Sequence, residues 1–387
     1  MRKLLPIYLC ALLSIILFSC KKNNIEDTGI PEITGTITGK VVSPNNRTPI
    51  RYALVFISTG KKLYSTYTDT EGNFSLTAAA GLQQELHVQT GHGDKFRSII
   101  QVDVIANQTT PLSDLLRLNQ VGNFAYLAGS YDKIENILID SLGYNAQSLN
   151  SNSIQNIAGI ANYNALFIDC GAYNTYVNPN IDSAFSNFVS GGGSLYMSDY
   201  SMDFLTGQNA LTACPAPRYY GFIDDSTVCS RRTGAVSVVP NAHVVSPELQ
   251  YFLGKDSMSI SYNLGTWERI QSIDNNFWQT MITDPTDNSP LLIRTNQYSN
   301  GNINAPFVGS RDSSQVTICH QMGNGSSITI TVNANSVADH LAHGDSMGMC
   351  NNPNQSGWIY FTTFHNEHNG QISEDVKHIL EFMILNL

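Results

Sequence analysis

The stretch NIDSAFSNFVSGGGSLYMS, residues 180–198, decides the fold. Its first half places Ile181, Ala184, Phe185 and Phe188 on one face at helical spacing. The run Gly191-Gly192-Gly193 ends that period, and Ser194 to Ser198 follows as a short apolar strand. Working outward, the same alternation recurs. Phe124 to Leu127 reads as a buried strand, and Asp132 to Leu142 as a helix with Ile134, Ile137, Leu138 and Leu142 on one face, stopped at Gly143. Gln147 to Leu149, Ser151 to Ile160 and Ala165 to Asp169 read as strand, helix and strand, and Gly357 to Phe364 with Ser373 to Leu385 as a last strand and closing helix. Repeated β-α-β units predict a doubly wound α/β, flavodoxin-like sheet over residues 121–387, with helices on both faces and ligands at the carboxyl ends of its strands.

Upstream, the period is two. Ile37–Val42, Ala53–Ser58, Leu63–Thr68, Phe74–Thr77, Glu85–Gln89 and Ile99–Val104 alternate between turn signals such as Pro44-Asn45-Asn46 and Glu71-Gly72-Asn73. They predict a small antiparallel β-sandwich over residues 34–118. Gly39-Lys40-Val41, Pro49 to Val55 and Thr68-Asp69-Thr70-Glu71-Gly72-Asn73-Phe74 resemble the signature of carboxypeptidase-regulatory-like, transthyretin-type domains. That resemblance implies a spacer or interaction module without chemistry, in which Asp69 and Glu71 cap a turn.

The N-terminus reads as a targeting segment. Arg2 and Lys3 precede an apolar run from Leu4 to Phe18 that is too short to span a bilayer. Leu17-Phe18-Ser19-Cys20 resembles the lipobox of bacterial lipoproteins. Residues 1–19 are thus expected to be a signal peptide, Cys20 the lipidated residue, and residues 20–33 a polar tether. The localisation implied is the bacterial cell envelope, lipid-anchored and extracytoplasmic, on the periplasmic or the cell-surface side. Charged residues are only 13% of the chain, so Asn, Ser, Thr and Gly must cover the surface. The formal net charge of −10 becomes −12 without Arg2 and Lys3, which argues against nucleic acid as a partner. Five cysteines follow Cys20, and their spacing suggests disulfides between Cys214 and Cys229 and between Cys319 and Cys350. Cys170, inside an apolar run, is expected to be buried and inert.

The pieces Tyr163 to Ile168, Phe188 to Leu195 and Gly357 to Phe364 resemble the class I glutamine amidotransferase-like fold and its trehalose-utilisation-type relatives. That chemistry needs a Cys on the turn after strand Ser194–Ser198, facing a His held by a Glu. His365-Asn366-Glu367 is similar to the family's His-Pro-Glu. The nucleophile position, however, reads Asp199-Tyr200-Ser201 and holds no Cys. Residues 316–350 form an inserted α+β module of two strands, Val316–Cys319 and Ser327–Val332, and a short helix. It is similar to a unit that recurs in secreted bacterial proteins.

Three sites are expected. A ligand cleft gathers Asp169, Tyr173, Asp199, Tyr200, His365 and Glu367, whose aromatic and carboxylate groups suit a sugar or similar polar ligand; residues 207–300 would wall it. In the inserted module, His340 and His343 share a helical face, and with His320, Asp345 and the two cysteines they suit zinc; a disulfide-stapled knob is the alternative there. The catalytic candidates are Asp199, His365 and Glu367. The sequence therefore points to a membrane-anchored binding or scaffold protein engaging a glycan or cell-surface polymer, with a hydrolase using those three residues, metal-assisted or not, as the competing class.

Overall fold

The computed structural model describes residues 32–59, 62–91, 93–172, 178–207, 221–223, 227–298, 315–321, 327–333, 336–337, 340, 345–347, 357–366 and 372–387. Eight strands form the N-terminal sandwich. One sheet joins β4 (Asn73–Ala79), β1 (Thr34–Val42) and β7 (Thr109–Pro111), with β8 (Leu116–Arg117) also on β1. The other runs β3 (Leu63–Tyr67), β2 (Leu54–Ser58), β5 (Gly81–Thr90), β6 (Phe96–Val104). The pairing is antiparallel except where β7 and β8 lie parallel to β1. Asp69 caps the predicted turn: its Oδ1 accepts from the N–H groups of Glu71 at 2.9 Å and Asn73 at 2.7 Å. Gly72 turns there at φ +78°, where a Cβ would lie 2.4 Å from the Val41 carbonyl oxygen, and the chain then carries Phe74 into the core.

The second unit is built on one nine-stranded sheet. Five parallel strands stand in the order β10 (Ala146–Leu149), β9 (Phe124–Leu127), β11 (Ala165–Ile168), β12 (Ser194–Ser198), β22 (Ile359–Thr362). These are the strands the sequence pattern predicted. β11, β12 and β22 are buried at every position, as strands covered on both faces must be. Phe124, Phe167, Tyr196 and Tyr360 enter one apolar core, while Leu166, Ile168, Leu195 and Phe361 enter another on the opposite face. Helix α1 (Pro179–Ser190) covers the second face, started by Asn178, whose side chain accepts from the N–H groups of Asn180 and Ile181. Closing helix α4 (Glu374–Leu385), capped by Ser373, packs into the first core.

Three expectations need correction. The sheet is mixed rather than doubly wound throughout. Residues 207–300, expected to wall the cleft and given no strands of their own, supply β14 (Ser237–Val244), β15 (Ser257–Tyr262), β17 (Gln279–Thr283) and β18 (Pro290–Thr295), which continue the sheet from β22 in the order β18-β17-β14-β15 with antiparallel pairing. The segment also supplies helix α3 (Pro247–Leu253) and a separate ribbon of β13 (Val228–Arg232) and β16 (Glu268–Ile273). The predicted helix at Ser151–Ile160 is instead a series of turns with one 3-10 turn at Ile157–Gly159. Its side chains compete with the helix for backbone donors: Asn150 accepts from Asn152 and Ser153, and Asn156 from Gly159. Between Asp132 and Leu142 the helix is present but wound as a π-turn over Asn136–Ser141, with the Leu142 N–H bonded to the Ile137 carbonyl at 2.9 Å.

The sandwich is not separable from the sheet by its core. Ile37, Val55, Leu76 and Val88 belong to the same buried cluster as Phe124, Phe167 and Ile379. Phe96 forms the junction, with ring centroids 5.3 Å from Phe124 and 4.6 Å from Tyr144. Among the described residues no helix is long and apolar enough to cross a membrane.

One buried charge in this core sets a pH dependence. Glu381 on α4 is 2% exposed, its Oε1 has no hydrogen-bond partner, and the Lys377 Nζ stands 3.9 Å away. Burial pushes its carboxyl up to about 7 from an ordinary 4.5. The folded state therefore keeps a proton that the unfolded chain has released, and stability falls as pH rises through that window. Glu381→Gln is expected to stabilise the protein by roughly 2–3 kcal/mol at pH 8 and to bring no gain at pH 4. Urea unfolding of both proteins at the two pH values checks this.

Candidate functional site at the strand ends

The parallel strands deliver their next residues to one place. After β12 the chain turns sharply at Asp199, whose φ is +42°, and enters a 3-10 turn at Asp199–Ser201 and helix α2 (Met202–Thr206). A non-glycine residue with positive φ on a strand–turn–helix junction is strained, and such strain persists only where surrounding contacts hold it. Here both carboxylate oxygens are held. Oδ1 accepts from the Glu268 N–H at 2.6 Å, while Oδ2 lies 3.0 Å from His365 Nε2 and 3.5 Å from the Cys170 thiol. His365 follows β22, and its Nδ1 is 3.1 Å from Oδ1 of Asn263, just past β15. Asp199 is fully buried, and the His365 side chain is 6% exposed.

Around this pair lies a second layer of acids. Asp132 follows β9, and its Oδ1 accepts from the Asn366 N–H at 2.6 Å. Burial pushes it up to about 6, against the pull of His365 and Ser198. Asp169, fully buried after β11, accepts from the Ile134 N–H at 3.3 Å, and its Oδ2 has no partner. Burial, then the neighbouring Asp132 and Glu135, push its carboxyl well up. His365 is subject to two opposed effects. Burial disfavours its charge, but the bond to Asp199 and the field of Asp132 outweigh that, so its pKa is raised.

The sequence-predicted cleft residues thus divide. Asp199, Tyr200 and His365 come together; Asp169 joins them from below, wholly inside the protein; Tyr173 and Glu367 lie outside the described residues. The solvent-facing rim is aromatic. Tyr131, 40% exposed, stacks parallel to His365 with centroids 6.2 Å apart and meets the Tyr200 ring edge-on at 6.3 Å. The Arg232 guanidinium sits over the Tyr200 ring at 4.5 Å and bonds Glu268 at 2.6 Å. Cys170 is buried, and burial, then Asp199 and Asp132, push its thiol well up, so it is a thiol and not a thiolate. Cys170, Asp199 and His365 present donor atoms within 4.8 Å of one another.

Sequence reasoning missed Tyr131, Asp132, Asn263, Arg232 and Glu268. The first two carried a signal, because Gly129-Ser130-Tyr131-Asp132 leaves the end of a predicted strand; the structure shows why a glycine stands there, since a Cβ on Gly129 would lie 2.0 Å from the Cys170 carbonyl oxygen. The other three come from the 207–300 segment, whose strands had not been assigned. A cleft of about 420 Å³ also exists, lined by Phe277, Gln279, Arg294 and Trp358 among others. Trp358 precedes β22, so this cleft stands at the amino ends of the parallel strands, away from Asp199.

In the inserted module, β19 (Gln315–Gln321) pairs with β20 (Ser327–Asn333) and with β21 (Ser346–Met347). His320 and His340 each place Nδ1 2.8 Å from the same Asp345 oxygen, Oδ2. His343, Cys214, Cys350 and the side chain of Cys319 lie outside what the structure describes. Cys229 is disulfide-bonded, to a partner likewise outside it.

No family model matches the sequence, and no curated protein matches it. Among solved structures, a ThuA-like protein from Bacteroides uniformis is 8% identical over 68% of this chain and 90% of its own, with a TM-score of 0.29. A type II cohesin–X-dockerin complex from Acetivibrio cellulolyticus is 18% identical over 30% of this chain and 88% of its own, with a TM-score of 0.20. At such values neither likeness bears on the chemistry of the site.

The Asp199–His365 contact is directly testable. With Asp199→Asn the main group favouring imidazolium is gone while burial remains, so the His365 pKa is expected to fall by roughly one unit or more. In the unsubstituted protein the raised value stabilises the fold below pH 6.5, and that contribution is lost as pH rises through the folded pKa. Nitrogen-15 NMR titration of the imidazole reads both, and an unchanged His365 pKa would disprove the coupling.

Proposed function

We propose that the chain is an envelope lipoprotein, anchored through Cys20, whose amidotransferase-like domain binds a glycan or cell-surface polymer and does no acyl-transfer chemistry. The observation that carries this is the state of Asp199. It occupies the turn on which the family's chemistry needs a nucleophilic thiolate, and it is fully buried with both oxygens engaged. A carboxylate there cannot form the thioester of glutamine hydrolysis. Cys170, the one free thiol among the described residues, ends a different strand and is held protonated. The aromatic rim of Tyr131 and Tyr200, beside Asn263 and Arg232, offers flat apolar faces next to amide and guanidinium donors. That combination suits sugar rings, whose carbon faces stack while their hydroxyls bond. The lipid would account for membrane residence without a spanning helix.

A second reading has its own support. The Asp199–His365 pair, with Cys170 close by, could position water or an ion for hydrolysis, and Asp132 is an acid pushed up to about 6 beside it. The two readings differ in turnover. Purified mature protein is expected to release no ammonia from glutamine, to hydrolyse no polysaccharide, and to be retained on insoluble bacterial or plant polysaccharide. Tyr131→Ala should weaken retention about tenfold, the worth of one stacked aromatic ring. Turnover lost with His365→Ala would replace the binding reading with the hydrolase.

The anchor is checked separately. Cys20→Ala is expected to move the protein from the membrane to the soluble fraction, and unchanged membrane retention would remove the lipoprotein part of the proposal.

A further inference from the structure

We propose that His320, His340 and Asp345 form a binding site for a divalent ion of the zinc class, independent of the Asp199 site. The three residues come from different elements of the inserted module. His320 is on β19, His340 lies beyond β20, and Asp345 immediately precedes β21. Cys319 stands opposite Ser346 in the β19–β21 ladder, so the next rung sets His320 beside Asp345. The Asp345 N–H bonds the His340 carbonyl at 3.1 Å, which fixes the third residue against the second.

The donor geometry is that of a three-ligand ion site. Both imidazoles aim the same nitrogen, Nδ1, at one carboxylate oxygen from 2.8 Å, with ring planes at 88° and centroids 5.3 Å apart. Two imidazole nitrogens and one carboxylate oxygen therefore reach a common point from different directions. As they stand the two imidazoles hydrogen-bond one carboxylate oxygen; with those N–H protons lost, the same three atoms are the donor set an ion needs. Tetrahedral zinc, with bonds of about 2.0–2.1 Å, sets its donors roughly 3.3 Å apart, so the group would open by about half an ångström to receive it. Nitrogen and oxygen donors without a required thiolate admit zinc, cobalt and nickel alike.

A unit of this length is ordinarily held by a disulfide or a metal, and among the described residues of this one Ile318 and Val337 are buried against Phe56 and Leu63 of the sandwich. The Asp345 side chain is fully buried, while the imidazoles are 31% and 23% exposed. The carboxylate is thus the inner ligand, and the open side toward the imidazoles is the path of entry and the place for a water as fourth ligand.

The test uses the mature protein, stripped with chelator and titrated with zinc by calorimetry and metal analysis. One equivalent retained through gel filtration is expected, with a thermal midpoint that rises with free zinc. Asp345→Asn and His340→Gln should each abolish that equivalent with unchanged circular dichroism, and Cys170→Ala should keep it, separating this site from the cluster at the strand ends. If a variant fails to fold, X-ray absorption at the zinc edge of the unsubstituted protein decides. Two imidazoles with oxygen donors support the site. Sulfur ligation, an equivalent that survives both substitutions, or no equivalent at all overturns it.

Discussion

A carboxylate cut off from water must find its donors in the protein, and the arrangement around Asp199 draws on four separate strands. Its position is set by β12, its ion partner His365 by β22, its backbone donor Glu268 by the ribbon strand β16, and the orientation of His365 by Asn263 after β15. Leaving a buried ion without its partner costs several kcal/mol, typically about 3–5. That cost enforces the meeting of the parallel half of the sheet, the antiparallel half and the ribbon. The positive φ of Asp199 is the strain held in place by this arrangement.

What the sequence disclosed follows from how strongly each element is patterned. β11, β12 and β22 were legible because strands buried on both faces read as unbroken apolar runs, and α1 was legible because Pro179 and Gly191 mark its ends. The antiparallel strands were not. β14 alternates around a bulge between Val239 and Ala242, β17 and β18 shift register within their pairing, and Asn, Ser and Thr dilute the apolar signal. Within the site, Asp199 and His365 could be found because each follows a legible strand. Glu268 and Arg232 meet as partners across the β13–β16 ribbon, 36 residues apart in the chain, and no local spacing records that.

The sandwich bears on the site through the shared core. Phe96 packs on Phe124, the first residue of β9, and β9 leads directly to Tyr131 and Asp132. Asn45 and Thr48, in a sandwich turn, bond the carbonyls of Asp140 and Ser141 at the end of the π-turn that begins just after Asp132. A module of this kind is usually read as a spacer. Here it also braces the segment that supplies one wall of the rim, which limits how freely that wall can move relative to β12.

Charge balance at the strand ends narrows what such a site can hold. Three carboxyl groups, Asp132, Asp169 and Asp199, surround one imidazole in a region with almost no exposed surface. Three anions beside one cation would leave a buried net charge of −2, which the low dielectric penalises heavily. The shifts relieve part of this: burial raises Asp169 well above the usual carboxylate range and Asp132 to about 6, while the bond to Asp199 and the field of Asp132 raise His365 against its own burial. The pair Asp199–His365 is thus flanked by acids that burial biases toward their neutral forms. An anionic ligand would add to a charge balance already negative, and a cationic one would compete with the imidazolium that Asp199 favours. A neutral ligand rich in hydroxyls faces neither penalty and can exchange hydrogen bonds with the rim. The same balance weighs against hydrolysis. The raised pKa of His365 disfavours the free imidazole that a general base requires, which favours the binding reading proposed above over the hydrolase.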